Sequence, residues 1–312
     1  MDGAGVYWTE HPPGTPVFPG TGDGRVMKVP VDGGTPTVLA SEQDWPSSIQ
    51  VDATSVYWTT WSEGMVDPGL RGYYSVMRAP LAGGKIGVVV SLDQPPGLFR
   101  WYNDIAVDAA GVYWAFECDW RNDPQNGSVV EVSLADGSIT TLASGQSRPY
   151  RIAVDTSNVY WVNRGSQDSG SQDNRPGSLM KMPSGGGDVI TLYASQSYIA
   201  DIALDATHVY WTSFDAGAVT KIPLGGGSPV TLASWQSGPA DIAVDATSVY
   251  WTNRGDSTVA KSSLDGGTTT TLASGQSAIQ DIAVDATGVY RTNAGTYAND
   301  YKDGTVMRLT PK

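Results

Sequence analysis

The stretch "DIAVDATSVYWTNRGDSTVAKSSLDGGTTTTLAS", Asp241 to Ser274, decides the fold because the chain spells it again and again. "DIALDATHVYWTS" begins at Asp201, "RIAVDTSNVYWVN" at Arg151 and "DIAVDAAGVYWAF" at Asp104. The Tyr-Trp pair recurs at Tyr7-Trp8, Tyr57-Trp58, Tyr113-Trp114, Tyr160-Trp161, Tyr210-Trp211 and Tyr250-Trp251, and a seventh copy reads Tyr290-Arg291. Each repeat holds four short β-prone runs: A ("DIAVD"), B ("SVYWT"), C ("TVAKSSL") and D ("TTTLAS"). A repeat of 40 to 56 residues with four such runs is the mark of a propeller blade. Gly-Gly pairs such as Gly266-Gly267 sit between C and D, where a tight hairpin needs positive φ.

The phrase "VDATSVYWTN" resembles the YWTD repeat of LDL-receptor class B propellers, and also the NHL and virginiamycin B lyase-like propellers. The resemblance runs along nearly the whole chain and implies an all-β propeller. It implies little about activity, since one fold hosts many functions. Asn, Ser, Glu, Thr or Phe stand where that motif ends in Asp, so the role of that Asp does not carry over.

Seven B runs and seven C runs are present, against six A and six D runs. The chain opens at "MDGAGVYWTE", inside a blade, and closes at "DGTVMRLTPK", after a C run. The expected architecture is a single propeller domain over residues 1–312, with seven blades of which the first lacks its inner strand and the last its outer one. A six-bladed arrangement, completed by the A run at Ile282, is the alternative.

Spacing separates the fixed parts of the phrase from the variable ones. The Asp closing A and the motif Tyr are five residues apart in every copy. From the motif Trp position to C the distances are 18, 18, 15, 18, 8, 8 and 15 residues. The B–C and D–A connections therefore absorb nearly all the variation, and in an up-and-down blade both emerge on the same side. Elaboration collected on one side of a repeat protein marks a binding face. Of 17 aromatic residues outside the motif, 16 fall in these connections, where exposed rings invite contact.

The expected ligand set lies over blades 2 to 4: Trp61, Tyr73, Tyr74, Phe99, Arg100, Trp101, Tyr102, Glu117, Trp120, Arg121 and Tyr150. Flat rings beside carboxylates and guanidinium groups suit a glycan, a peptide or a protein. Asp104, Asp201, Asp241 and Asp281 open the A runs and should gather at the mouth of the central channel. They read as turn caps, or as oxygen ligands for a Ca²⁺ or Mg²⁺ ion. The Asp closing each A run reads as structural, and the charge centred in each C run (Lys28, Arg78, Glu131, Lys181, Lys221, Lys261, Arg308) as a solvated outer-strand residue. Arg291, the lone departure from Trp, suggests a wetter site.

The formal net charge of −13 disfavours nucleic acid and anionic membranes. No run approaches 18 apolar residues, so membrane insertion is not expected. No signal peptide is visible, and Cys118, the one cysteine, allows no intrachain disulfide. His11 is the only histidine in a variable connection, and no nucleophile motif appears. These features point to a non-catalytic, monomeric binding propeller of an extracellular, periplasmic or cell-surface setting. A metal-dependent lyase or lactonase with its site at the channel mouth is one alternative, and an adhesive module of a larger exported protein another.

Overall fold

The computed structural model describes residues 3, 5–11, 22–62, 73–93, 103–116, 127–164, 177–194, 198–276, 278–294 and 304–310, with backbone alone at 93 and 103. It is an all-β propeller of seven blades, each a short antiparallel sheet. Blade 1 is β1 (Gly5–Glu10), β2 (Gly24–Pro30) and β3 (Thr37–Gln43). Blade 2 is β4 (Ile49–Val51), β5 (Ser55–Ser62), β6 (Tyr73–Pro80) and β7 (Gly87–Asp93). Blade 3 is β8 (Asn103–Val107), β9 (Gly111–Phe116), β10 (Gly127–Ser133) and β11 (Ile139–Gln146). Blade 4 is β12 (Pro149–Val154), β13 (Asn158–Asn163), β14 (Ser178–Pro183) and β15 (Ile190–Ala194). Blade 5 is β16 (Ile199–Leu204), β17 (His208–Ser213), β18 (Ala218–Pro223) and β19 (Val230–Ala233). Blade 6 is β20 (Pro239–Val244), β21 (Ser248–Asn253), β22 (Thr258–Ser263) and β23 (Thr270–Ala273). Blade 7 is β24 (Ile279–Val284), β25 (Val289–Asn293) and β26 (Thr305–Leu309). Blades 1 and 7 are three-stranded among the described residues. The chain forms two compact units, 1–152 and 153–312.

The fixed spacing has a chemical cause. Asp245 Oδ1 accepts the backbone N–H groups of Thr247 (2.8 Å) and Ser248 (2.9 Å), closing the A–B turn, while Oδ2 accepts the Tyr250 hydroxyl at 3.0 Å. Asp52, Asp108, Asp155, Asp205 and Asp285 repeat this with Tyr57, Tyr113, Tyr160, Tyr210 and Tyr290 at 2.6 to 3.2 Å. A carboxylate that caps a turn and holds a hydroxyl tolerates no insertion between the two, so five residues is an invariant of the geometry. The C–D turns behave as read: Gly266 and Gly267 have φ of 82° and 121°, a region open to glycine without strain.

Tyr and Trp of the motif are adjacent, so they point to opposite faces of the sheet. Tyr of one blade therefore meets Trp of the next. Tyr57 and Trp114 share one apolar cluster, Tyr160 and Trp211 another, and Tyr210 and Trp251 a third. Trp58, Trp114, Trp161, Trp211 and Trp251 are fully buried. Truncating such a ring costs about 3–5 kcal/mol.

A glutamine completes two of these seams. Gln43 Oε1 accepts the Trp58 indole N–H at 3.0 Å, and Gln236 Oε1 accepts that of Trp251 at 3.0 Å. Each Gln stands 15 residues before its Trp, and each turns its amide back to the carbonyl two residues earlier.

Two expectations need correction. The charges of the C strands are not merely solvated. Each lies directly across from the motif Tyr in the ladder, as Lys28 does from Tyr7 and Lys181 from Tyr160. Lys28, Arg78, Lys181 and Arg308 lie over those rings, 5.2 to 5.8 Å from the centroids. Lys181 Nζ donates to Leu224 O (2.8 Å) and Lys221 Nζ to Leu264 O (2.6 Å), so the chains of these lysines stitch one blade to the next. A long alkyl stem covers the Tyr while the ammonium reaches a carbonyl. Arg291 is also not wet: it is 2% exposed. Its Nη1 donates to Asn293 Oδ1 (3.2 Å), its Nη2 to Met307 Sδ (3.0 Å), and its Nε has no partner among the described residues.

Candidate binding site

Adjacent strands of each sheet are antiparallel, so the B–C and D–A connections leave each blade on the same side. In the 1–152 unit this side carries a run of aromatic side chains. His11 follows β1, Trp45 lies between β3 and β4, Trp61 is in β5 and Tyr74 in β6. The His11 and Trp45 rings are 5.1 Å apart, Trp45 and Trp61 6.5 Å and edge-on, Trp61 and Tyr74 6.1 Å and stacked.

Local chemistry builds this ladder. The segment 44–48 lies along the extension of β5, with Trp61 N–H donating to Asp44 O (3.1 Å) and Ser47 N–H to Thr59 O (2.8 Å). That brings Trp45 onto Trp61. Gly24 permits the crossing, because a Cβ there would collide with the Pro46 ring and the Gln43 carbonyl. Trp45 takes φ of +41°, a conformation disfavoured for a bulky residue. His11 is an exposed residue beside the Trp45 ring, and desolvation lowers the pKa of its imidazole. That shift favours the neutral imidazole, which can both donate and accept a hydrogen bond.

The expected ligand residues divide three ways. Trp61 is half-buried within the ladder. Tyr74 is 3% exposed and forms its floor, packed in the apolar core between blades 2 and 3. Tyr73, on the opposite face of β6, is 43% exposed. Trp61, Tyr73, Tyr74 and Tyr150 are strand residues, not loop residues, because the β5–β6 hairpin runs on to the Ser62–Tyr73 pair and β12 starts at Pro149. The Arg151 guanidinium lies 4.8 Å over the Tyr150 ring, so one face of that ring is taken. Phe99, Arg100, Trp101, Tyr102, Glu117, Trp120 and Arg121 lie outside the described residues. Trp45 and His11 enter the site although the expected set omits them; the signal was their place in the first two variable connections.

The four aspartates that open the A strands are engaged one by one. Asp104 Oδ1 accepts the Ser48 hydroxyl (2.6 Å) and Oδ2 the Ile152 N–H (3.0 Å). Asp201 Oδ2 accepts the Ile242 N–H at 3.0 Å, from the next inner strand. Asp241, 1% exposed, accepts the Thr252 hydroxyl (3.2 Å) and pairs with Arg254 at 3.3 Å. Asp281 Oδ1 accepts the Ile282 N–H at 2.8 Å. The carboxylates of Asp104 and Asp201 thus tie inner strands together. Among the described residues no three His, Cys, Asp or Glu side chains stand grouped as a metal cage.

No family profile and no curated protein matches this chain in sequence. Solved structures do match its fold. One is a chain from a nidogen/laminin complex, with a TM-score of 0.56 and 16% identity, covering 77% of this chain and 86% of that one. Another is a streptogramin B lyase, with a TM-score of 0.58 and 14% identity, covering 86% of this chain and 84% of that one. These likenesses agree with the YWTD and virginiamycin B lyase-like character of the repeat, and at such identities they establish the fold alone.

Proposed function

We propose that this chain is a binding propeller that takes a peptide or protein ligand on the loop side of its sheets, with His11, Trp45 and Trp61 as the contact surface. The observation that carries the reading is the aromatic ladder itself, which lays accessible rings over a buried Tyr74 floor. Rings held in place by packing offer contact area at small entropic expense, and Trp is the residue most enriched in hot spots. Phe99 to Tyr102 and Glu117 to Arg121 extend the surface in this proposal on sequence grounds, since they occupy the connections that follow. The nidogen/laminin likeness favours a macromolecular ligand over a small one. An extracellular or cell-surface setting goes with it.

Peptide and glycan arrays probed with the wild-type protein, followed by titration of the best binders against Trp45→Ala and Trp61→Ala, test the reading. A peptide should bind, and each variant should lose about 2 kcal/mol of affinity with its fold intact. Equal binding by both variants, or a preference for glycans alone, would sink it.

One observation favours a catalytic reading instead: His11 is a neutral base beside stacked rings, on a fold shared with a lyase. Turnover of cyclic esters or lactones that disappears in His11→Asn would replace the binding reading.

A further inference from the structure

Trp235 lies in the connection between β19 and β20, in the 153–312 unit, and it breaks two rules at once. Its φ is +60°, and it is 97% exposed. Gly145 and Gly275 fill the matching position of other repeats with φ of 66°. A left-handed backbone is costly for a non-glycine residue, and an indole in water adds a further penalty that glycine would avoid. The turn beneath it is tightly held. Gln236 N–H donates to Gly217 O (2.9 Å), Gly255 N–H to Ser237 O (2.8 Å) and Gly238 N–H to Gln236 O (3.1 Å). The Gln236 side chain is fixed between Trp251, Asn253 and Ser234 O. The ring is therefore presented from a rigid base, which lowers the entropic penalty of using it for recognition.

Its surroundings select the partner. The other large exposed apolar residues described in this unit are Val189, Ile190 and Val230, at the opposite, C–D end of the sheets, and Met307 in blade 7. Among the described residues, none of these stands in the connections that flank the indole. The two turns hydrogen-bonded to its neighbours carry acids instead: Gly217 follows Asp215, and Gly255 precedes Asp256, both exposed. One cation beside these turns, Arg254, is paired with Asp241. The whole chain carries a net charge of −13. An open π face between acidic turns on an acidic protein is complementary to a cation. We propose that Trp235 anchors a docking site for a basic segment of a partner protein, with an Arg or Lys side chain lying over the indole and neighbouring charges facing Asp215 and Asp256. It shares no residue with the ladder, all of whose residues lie in the 1–152 unit, and the proposal stands or falls independently of that reading.

Fluorescence anisotropy of a labelled oligoarginine peptide provides the test, with a neutral proline-rich peptide and a neutral oligosaccharide as parallel probes. The wild type should bind oligoarginine, more weakly as salt rises. Trp235→Gly should weaken that binding about tenfold while its melting temperature stays level or rises, since glycine suits the turn. Asp215→Asn with Asp256→Asn should weaken binding and flatten its salt dependence. Oligoarginine binding unchanged in Trp235→Gly overturns the proposal. So does a Trp235→Gly variant as unstable as Trp251→Ala, which would make the ring structural. Trp235-dependent binding of the proline-rich peptide or the oligosaccharide, without oligoarginine binding, also overturns it.

Discussion

The Tyr250 hydroxyl sits 3.0 Å from Asp245 Oδ2, and this one contact joins the turn of a hairpin to the seam between two blades. Burial, the hydrogen bond to Asp245 and the charge of that carboxylate push the Tyr250 pKa up to about 12. A tyrosine raised in the folded state keeps its full contribution below its unfolded pKa of about 10, and that contribution erodes as pH climbs from there. Tyr57, Tyr160 and Tyr210 are raised in the same direction. The melting temperature should therefore fall steeply above about pH 10. Tyr250→Phe should lower stability at neutral pH by about 1 kcal/mol and make the alkaline fall shallower. An unchanged alkaline slope in that variant, followed by circular dichroism, would remove the Asp–Tyr contact from the account.

Glu131 is the one acid among the C-strand charges, opposite Tyr113 in blade 3. Its pKa is raised, by burial first and then by the negative charge of Asp108. Glu131→Lys should replace repulsion with the ring-covering cation used in other blades. We expect a gain of about 1 kcal/mol, read as a higher denaturant midpoint. A loss of stability would mean the lysine stem cannot lie over Tyr113 as Lys181 lies over Tyr160.

Arg291 should be the most improvable position in the core. Among the described residues its buried guanidinium meets no carboxylate, and its Nε no acceptor. Arg291→Trp restores the ring found in the other copies, and replacing a buried charge by a well-packed apolar group is worth roughly 1–4 kcal/mol. The melting temperature should rise by several degrees. A fall would indicate that the space between blades 6 and 7 has been shaped around arginine.

Asp241 tests the inner-strand carboxylates. Asp241→Asn keeps the shape but weakens the contacts to Thr252 and Arg254, and should cost roughly 2 kcal/mol. If these carboxylates act as ties alone, EDTA should leave the wild-type melting temperature where it was. A wild type destabilised by EDTA and rescued by Ca²⁺, with Asp241→Asn unresponsive, would instead mean a bound cation.

His11 gives an acid-side signature. Its pKa is lowered by desolvation, so its contribution is whole above the unfolded value of about 6.5 and is lost as pH falls below it. Stability measured between pH 7 and 5 should decline in the wild type and decline less in His11→Gln.

The repeat made the blades legible because its invariants are chemical: Asp and Tyr five apart, and glycines at the C–D turns. The Gln set 15 residues before Trp58 and Trp251 was equally readable, and only the eye drawn to aromatics passes over it. Other features were beyond a sequence reading. Nothing in "SVYWT" says that a lysine across the sheet will lie over the Tyr, since that depends on cross-strand register. The extension of β5 and β6, which turns Trp61 and Tyr74 from loop rings into strand rings, depends on how far a hairpin zips. The left-handed backbone is framed by hydrogen bonds to β5 at Trp45 and to neighbouring turns at Trp235, which the local sequence does not display.

The Gln236–Trp251 bond makes the natural exchange unit of this protein differ from its visible unit. Gln236 leaves one sheet and is satisfied by the next, as Tyr210 leaves blade 5 and packs with Trp251 of blade 6. A graft cut between Ala233 and Gln236 would part Gln236 from Tyr210, although both serve Trp251. A graft cut in the A–B turns, from just after Asp205 to Asp245, would carry Tyr210 through Gln236 as one cassette and leave each seam to re-form with any neighbour that spells the same phrase. Duplication in the past, and recombination at the bench, should both prefer that staggered frame.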